Sequence, residues 1–104
     1  MIGIDLVHVP EFQRQLDAGG PHFLGKMFNQ SELGNRSIEH LAGLWAAKEA
    51  VMKAAPEPPL RMTDIVIMND PSGRPHAIVA AHSFDVSISH HGDYVVAVAL
   101  GVER

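Results

Sequence analysis

From Leu44 to Ala54 the chain reads Leu-Trp-Ala-Ala-Lys-Glu-Ala-Val-Met-Lys-Ala, with three charges, Lys48, Glu49 and Lys53, among small and apolar residues. At about 3.6 residues per helical turn, Glu49 and Lys53 share a face, and Lys48 lies roughly 100° round from Glu49. Two cations and an anion on so apolar a helix are costly to bury unless something binds there. A phosphate with a divalent metal satisfies all three. The alternative is a solvated face carrying Glu49–Lys53 as a surface pair worth ~0.3–0.5 kcal/mol. Ala42, Gly43, Ala46, Ala47, Ala50 and Ala54 give such a face little polarity, and their size suits the close approach of another element or a ligand.

Asp5 poses a similar question. It stands among Ile4, Leu6 and Val7, where an ionised carboxylate needs a partner. It pairs with a lysine or faces solvent at a strand end, or it shares a divalent cation with Glu49. Two carboxylates completed by water and phosphate oxygens suit Mg²⁺, a hard cation that keeps several waters. Ser87-Ile88-Ser89-His90-His91 sets hydroxyls beside histidines, groups that can meet phosphate or a nucleotide and that are equally at home on an exposed strand and loop. Adjacent histidines on a strand point to opposite faces, which disfavours one transition-metal ion on His90 and His91 with His82. No Gly-x-Ser-x-Gly elbow and no Gly-rich phosphate cradle is present.

These residues need a frame. Ile2 to Val9 is apolar and β-branched with one charge, which reads as a buried strand. Pro10 opens a short helix that Gly19-Gly20 ends. His22 to Phe28 reads as a second short helix, followed by a turn or cap at Asn29-Gln30-Ser31-Glu32 and a break at Gly34-Asn35-Arg36. Ser37 is the expected N-cap of a long helix from Ile38 to Ala55. Pro56-Glu57-Pro58-Pro59 stops it. Beyond, the period shortens: strands are expected at Met62 to Met68, Arg74 to Ala81, Phe84 to Ser89 and Tyr94 to Val102. Turns fall at Asn69 to Gly73 and His91-Gly92-Asp93, and the end of the chain closes as a three-stranded antiparallel meander. The expectation is an α+β fold, one domain over residues 1–104, with the long helix packed across a mostly antiparallel sheet.

The bulk composition is that of an ordinary globular chain: 46% hydrophobic and 19% charged over 104 residues. A core of this size is thin, and self-association would help it. The net charge of −4 argues against a nucleic-acid binder. The absence of cysteine excludes disulfides and thiolate metal sites and fits a reducing compartment. No apolar run approaches the ~18–20 residues that span a bilayer, so no membrane partner is expected. The expected setting is cytoplasmic.

In order along the chain, Gly3-Ile4-Asp5-Leu6-Val7, Phe23 to Glu32, Trp45-Ala46-Ala47-Lys48-Glu49-Ala50-Val51-Met52-Lys53-Ala54, Gly73-Arg74-Pro75 and Val86-Ser87-Ile88-Ser89-His90 resemble the holo-acyl-carrier-protein synthase family of 4′-phosphopantetheinyl transferases. The helix motif is the most specific, and the resemblance runs over nearly the whole chain. It implies that the phosphopantetheine arm of coenzyme A passes to a serine of an apo acyl carrier protein and that 3′,5′-ADP leaves. It further implies Mg²⁺ on Asp5 and Glu49, phosphate charge met by Lys53 and Lys48, and a coenzyme bordered by Ser89 and His90. Asp5, Glu49 and Lys53 would carry the chemistry, with the serine proton passing to Glu49 or to a metal-bound water. A homotrimer with interfacial sites and a setting in fatty-acid biosynthesis complete the expectation. Arg14, with Lys26, is the basic contact it implies for an acidic carrier.

The chain also departs from the family pattern. Ala55-Pro56-Glu57-Pro58-Pro59 replaces a Gly-rich turn, the stretch from Gly73 to the Ser-His motif is short, Trp45 replaces Phe, and His91 stands where Thr is frequent. These departures motivate the alternative of a coenzyme A- or carrier-binding module with weakened catalysis.

Overall fold

Gly3 decides how the two ends of the architecture meet. In the computed structural model, which describes residues 1–35, 37–58 and 61–103, Gly3 lies in strand β1, Ile2–His8, against the long helix α2, Ile38–Ala54. A Cβ at Gly3 would press into the backbone carbonyl of Ala50 and come within 2.9 Å of the Ala54 nitrogen. Only glycine permits that approach. Ala46, Ala47 and Ala50 on the helix and Ala97 and Ala99 on the sheet, all buried, extend the same close packing along the interface.

The five strands are β1, β2 at Met68–Asn69, β3 at Pro75–Val79, β4 at His82–His91 and β5 at Tyr94–Val102. They form one antiparallel sheet in the order β1-β5-β4-β3-β2. The fold is α+β, with the helices on one face of the sheet. The last four strands make a meander, one strand more than the three expected, and β1 pairs with β5 at its far edge. Phe84, Val86, Val95, Ala97 and Ala99 face inward to a core shared with Leu41, Leu44 and Val51 of α2.

β1 is not the buried strand its composition suggests. It sits at the sheet edge, and Ile2, Ile4 and Leu6 are 69%, 60% and 63% exposed on the face turned away from the helices. Gly3, Asp5 and Val7 are the residues that face α2, following the period-two alternation of a strand.

α1, Val9–Met27, holds the two short helices expected, set end to end across a break where Gly20 takes the non-helical φ +69° and ψ −166° ahead of Pro21. α2 begins where Ser37 accepts from the amide of His40 at 3.3 Å, and it ends at the cap Ala55, just before Pro56. Arg36 of the expected break and Pro59 of the proline stop lie outside the described residues.

The expected strand at Met62 to Met68 is largely absent. Met62–Asp64 is a 3₁₀ turn, and only Met68–Asn69 enters the ladder. The reason lies elsewhere in the chain: the Asn29 amide group donates to the Thr63 carbonyl at 2.7 Å, and the Ile67 N–H donates to Glu32 at 3.1 Å. Side chains satisfy this backbone where a neighbouring strand would have done so. The Asn69 to Gly73 turn does form, with Asp70 Oδ1 accepting from the amides of Ser72 and Arg74.

Candidate functional site

Asp5 reaches the helix because β1 approaches it so closely at Gly3. Its Oδ1 lies 3.0 Å from Lys53 Nζ, which also donates to the Ile4 carbonyl at 3.0 Å. Glu49, one helical turn before Lys53, joins them electrostatically. Burial raises its carboxyl above the ordinary value, the negative charge of Asp5 raises it further, and Lys53 opposes both. Two carboxylates and one ammonium, from residues far apart in sequence, therefore share one place. A cavity of about 250 Å³ opens beside them, lined by Asp5, His8, Glu11, Gln15, Trp45 and Glu49.

The donor set fits a hard divalent cation. Asp5 and Glu49 supply oxygen ligands only, and their mutual repulsion is the kind a cation relieves. Among the described residues no group of three or more His, Cys, Asp or Glu gathers as a metal cage. A two-carboxylate site leaves the remaining positions to water and substrate oxygens, as Mg²⁺ prefers.

Lys48 does not face this cavity. Its side chain is fully buried, and Nζ lies 2.5 Å from Glu32 Oε1, with the Phe28 ring centroid 5.6 Å away. Burial lowers its pKa, while the hydrogen bond and charge of Glu32 oppose the shift. This corrects the expectation that Lys48 meets a ligand phosphate: the helix offers Glu49 to the cavity, sets Lys53 on the Asp5 carboxylate and turns Lys48 into the protein. Glu32, which the sequence reading placed only in a turn or cap, is its partner. The Asn29-x-x-Glu32 spacing was the available signal, since Glu32 also accepts from the Asn29 amide at 2.9 Å.

A second, larger concavity of about 740 Å³ opens nearer the start of α2, lined among others by Asn35, His40, Gly43, Arg74, Pro75 and His90. The Gly73-Arg74-Pro75 and Ser-His motifs thus converge on it. His90 lies over Gly43, with Nε2 3.5 Å from the position a Cβ would take. Ser89, its neighbour on β4, is exposed and pairs in register with Val96. Alternation sends it to the opposite sheet face, so one copy of the chain does not present Ser89 and His90 to the same ligand. Asn35, His40 and Arg74 were not singled out as site residues by sequence. The i,i+3 spacing of His40 and Gly43 on one helix face was the signal for His40.

Known proteins share this sequence pattern and fold. Residues 1–99 match the family model described as the 4′-phosphopantetheinyl transferase superfamily. The chain is 37% identical to the holo-[acyl-carrier-protein] synthase of Mycobacterium marinum, covering 95% of this chain and 93% of that protein. It is 33% identical to the synthase of Ehrlichia canis, covering 92% and 88%. Among solved structures, the Helicobacter pylori holo-[acyl-carrier-protein] synthase in complex with coenzyme A superposes with a TM-score of 0.86 at 28% identity, covering 98% of this chain and 100% of that one. The Bacillus anthracis synthase in complex with coenzyme A (3′,5′-ADP) superposes with a TM-score of 0.79 at 30% identity, covering 96% and 93%.

Proposed function

Because the chain belongs to the 4′-phosphopantetheinyl transferase superfamily, we propose that it is a holo-acyl-carrier-protein synthase, moving the phosphopantetheine arm of coenzyme A onto a serine of an apo acyl carrier protein. The observation that carries this reading is the meeting of Asp5, Glu49 and Lys53 beside one cavity. The serine Oγ–P bond forms as the bond from phosphorus to 3′,5′-ADP breaks. Positioning and charge neutralisation dominate such transfers.

Asp5 and Glu49 would hold Mg²⁺, which when bound supplies positive charge to the diphosphate oxygens. Lys53 adds the charge that belongs to the protein itself. Glu49, or a water beside it, would take the serine proton. The larger cleft, with Arg74, His40 and His90, suits the phosphorylated nucleoside end of coenzyme A.

The outer sheet face supports self-association. Ile2, Ile4 and Leu6 pair in register with Leu100, Val98 and Val96, making one apolar surface turned away from the helices. A second copy is the occupant we assign to it, in a homotrimer as the family resemblance implies. Ser89 lies on that same face, where it would border a ligand held by a neighbouring copy. We place the enzyme in the cytoplasm, serving fatty-acid biosynthesis, in keeping with its cysteine-free sequence and its substrates.

The test is direct. The protein is incubated with coenzyme A, Mg²⁺ and apo carrier protein, and the carrier is weighed by intact-mass spectrometry. A mass gain of one phosphopantetheine on the serine, lost on chelation and in Asp5→Asn and Glu49→Gln, is expected. Coenzyme A binding with no mass gain would show a binding module in its place.

A further inference from the structure

We infer that the buried Glu32–Lys48 pair is a positioning device for the larger cleft, fastening two of its walls to α2. The inference rests on the reading that this cleft receives coenzyme A.

One wall is the segment from Gln30–Glu32 to Asn35, and another runs from Ile67 through Asn69 to Arg74. Neither wall is anchored by extensive strand pairing next to the cleft; among the described residues only Met68 and Asn69 join the ladder on that side. One carboxylate ties them together. Glu32 Oε1 accepts from Lys48 Nζ at 2.5 Å and from the Asn29 N–H at 2.9 Å, while Oε2 accepts from the Ile67 N–H at 3.1 Å. Asn29 adds a second tie through its side chain to the Thr63 carbonyl at 2.7 Å. The charge anchoring this node comes from the helix core: the Lys48 and Glu32 side chains are 0% and 1% exposed.

A buried ion pair is a poor source of net stability, since well-packed apolar residues do as well or better at such a place. Its use lies in directionality. An apolar contact would let the two walls slide, whereas a carboxylate with donors from both walls and the helix admits one arrangement. The next residue along the helix, Glu49, faces the other cavity, about 100° round the axis. The pair therefore acts on the binding of coenzyme A and leaves the reacting groups alone, which makes Glu32 and Lys48 positioning residues.

Steady-state kinetics of the full chain with coenzyme A and apo carrier protein test this. The double variant Glu32→Gln with Lys48→Met removes both charges together, so neither is stranded. Its KM for coenzyme A is expected to rise about tenfold, the loss of one good charge-assisted contact, with kcat within about twofold of wild type. Arg74→Ala and His40→Ala serve as direct probes of the cleft. If they leave the coenzyme KM unchanged, the cleft assignment fails; if they raise it and the folded double variant does not, the positioning role fails. A fall in kcat at unchanged KM would also overturn it. Should the double variant not fold, amide exchange on the unaltered protein decides: coenzyme A is expected to slow exchange at Asn29 and Ile67, and no slowing there overturns the inference.

Discussion

Lys53 Nζ stands 3.0 Å from Asp5 Oδ1, joining residues 48 positions apart. The ammonium lies half-exposed, while the carboxylate it holds is mostly covered. In the proposed chemistry this cation would exchange a protein carboxylate for an incoming phosphate. Lys53→Met is expected to lower kcat/KM for transfer by roughly 10²-fold, the scale of losing one charged stabilising group. Circular dichroism should show the fold unchanged. Transfer within twofold of wild type would remove Lys53 from the chemistry.

Glu49 ties stability to pH. Its folded pKa is raised by burial first and by Asp5 second, with Lys53 opposing. Between the ordinary glutamate value and the raised one, the folded protein binds more protons than the unfolded chain. Stability from this residue therefore falls as pH climbs through that interval. Glu49→Gln removes the fall. Thermal melts at about pH 4 and about pH 7.5, on either side of the usual carboxylate range, should show the variant gaining on wild type at the higher pH. Mg²⁺ should then raise the wild-type melting temperature and leave that of the variant alone.

Lys48→Met strands the Glu32 carboxylate in a dry interior. Breaking one side of such a pair costs about 3–5 kcal/mol. Urea unfolding should give a loss of that order, and Glu32→Gln in the Lys48→Met background should recover part of it, because the uncompensated charge is then gone. Equal stability of the single and double variants would contradict the description of this pair as buried and charged.

Gly3→Ala tests the close approach of β1 to α2. The added methyl meets the backbone of Ala50 and Ala54, which cannot rotate away. Overpacking of this kind costs at least the upper end of ~1–3 kcal/mol. Because the strand must retreat, Asp5 moves from Glu49 and Lys53, and transfer should fall more steeply than the stability loss alone explains.

Ile2→Glu combined with Leu100→Lys puts a complementary charge pair across β1 and β5 on the outer face, where the two residues are in register. The pair leaves each folded chain satisfied and makes the apolar surface unfit for another copy. Sedimentation velocity should show a trimer for wild type and a monomer for the variant.

Much of this was legible in the sequence because the signals were local. Ser37 and Pro56 marked the ends of α2, and Gly19-Gly20 marked the break between the two halves of α1. Asp70 to Gly73 marked a turn with its own side-chain hydrogen bonds. The pairing of Asp5 with the helix was legible from the charges that an apolar setting would otherwise leave unpartnered. What escaped was set by distant partners. Met62 to Met68 carries strand-like composition, yet Asn29 and Glu32 claim its backbone groups from more than thirty positions away. Lys48 and Glu49 are adjacent and equally charged in magnitude; which of them enters the protein depends on Glu32, and helical spacing alone does not say. β1 is apolar enough for an interior strand, and nothing within Ile2–His8 distinguishes an interior from an edge that another copy would cover.

The alternation of β4 makes that strand a two-sided ribbon. Phe84, Val86, Ile88 and His90 read inward, while Asp85, Ser87, Ser89 and His91 read outward. A single-residue insertion or deletion within it would swap both messages at once, driving hydroxyls into the core and aromatic bulk into solvent. A single substitution on the outward positions of β4 disturbs one message only; a shift in reading by one position disturbs both, and variants of this chain that change length should confine the change to the turns on either side.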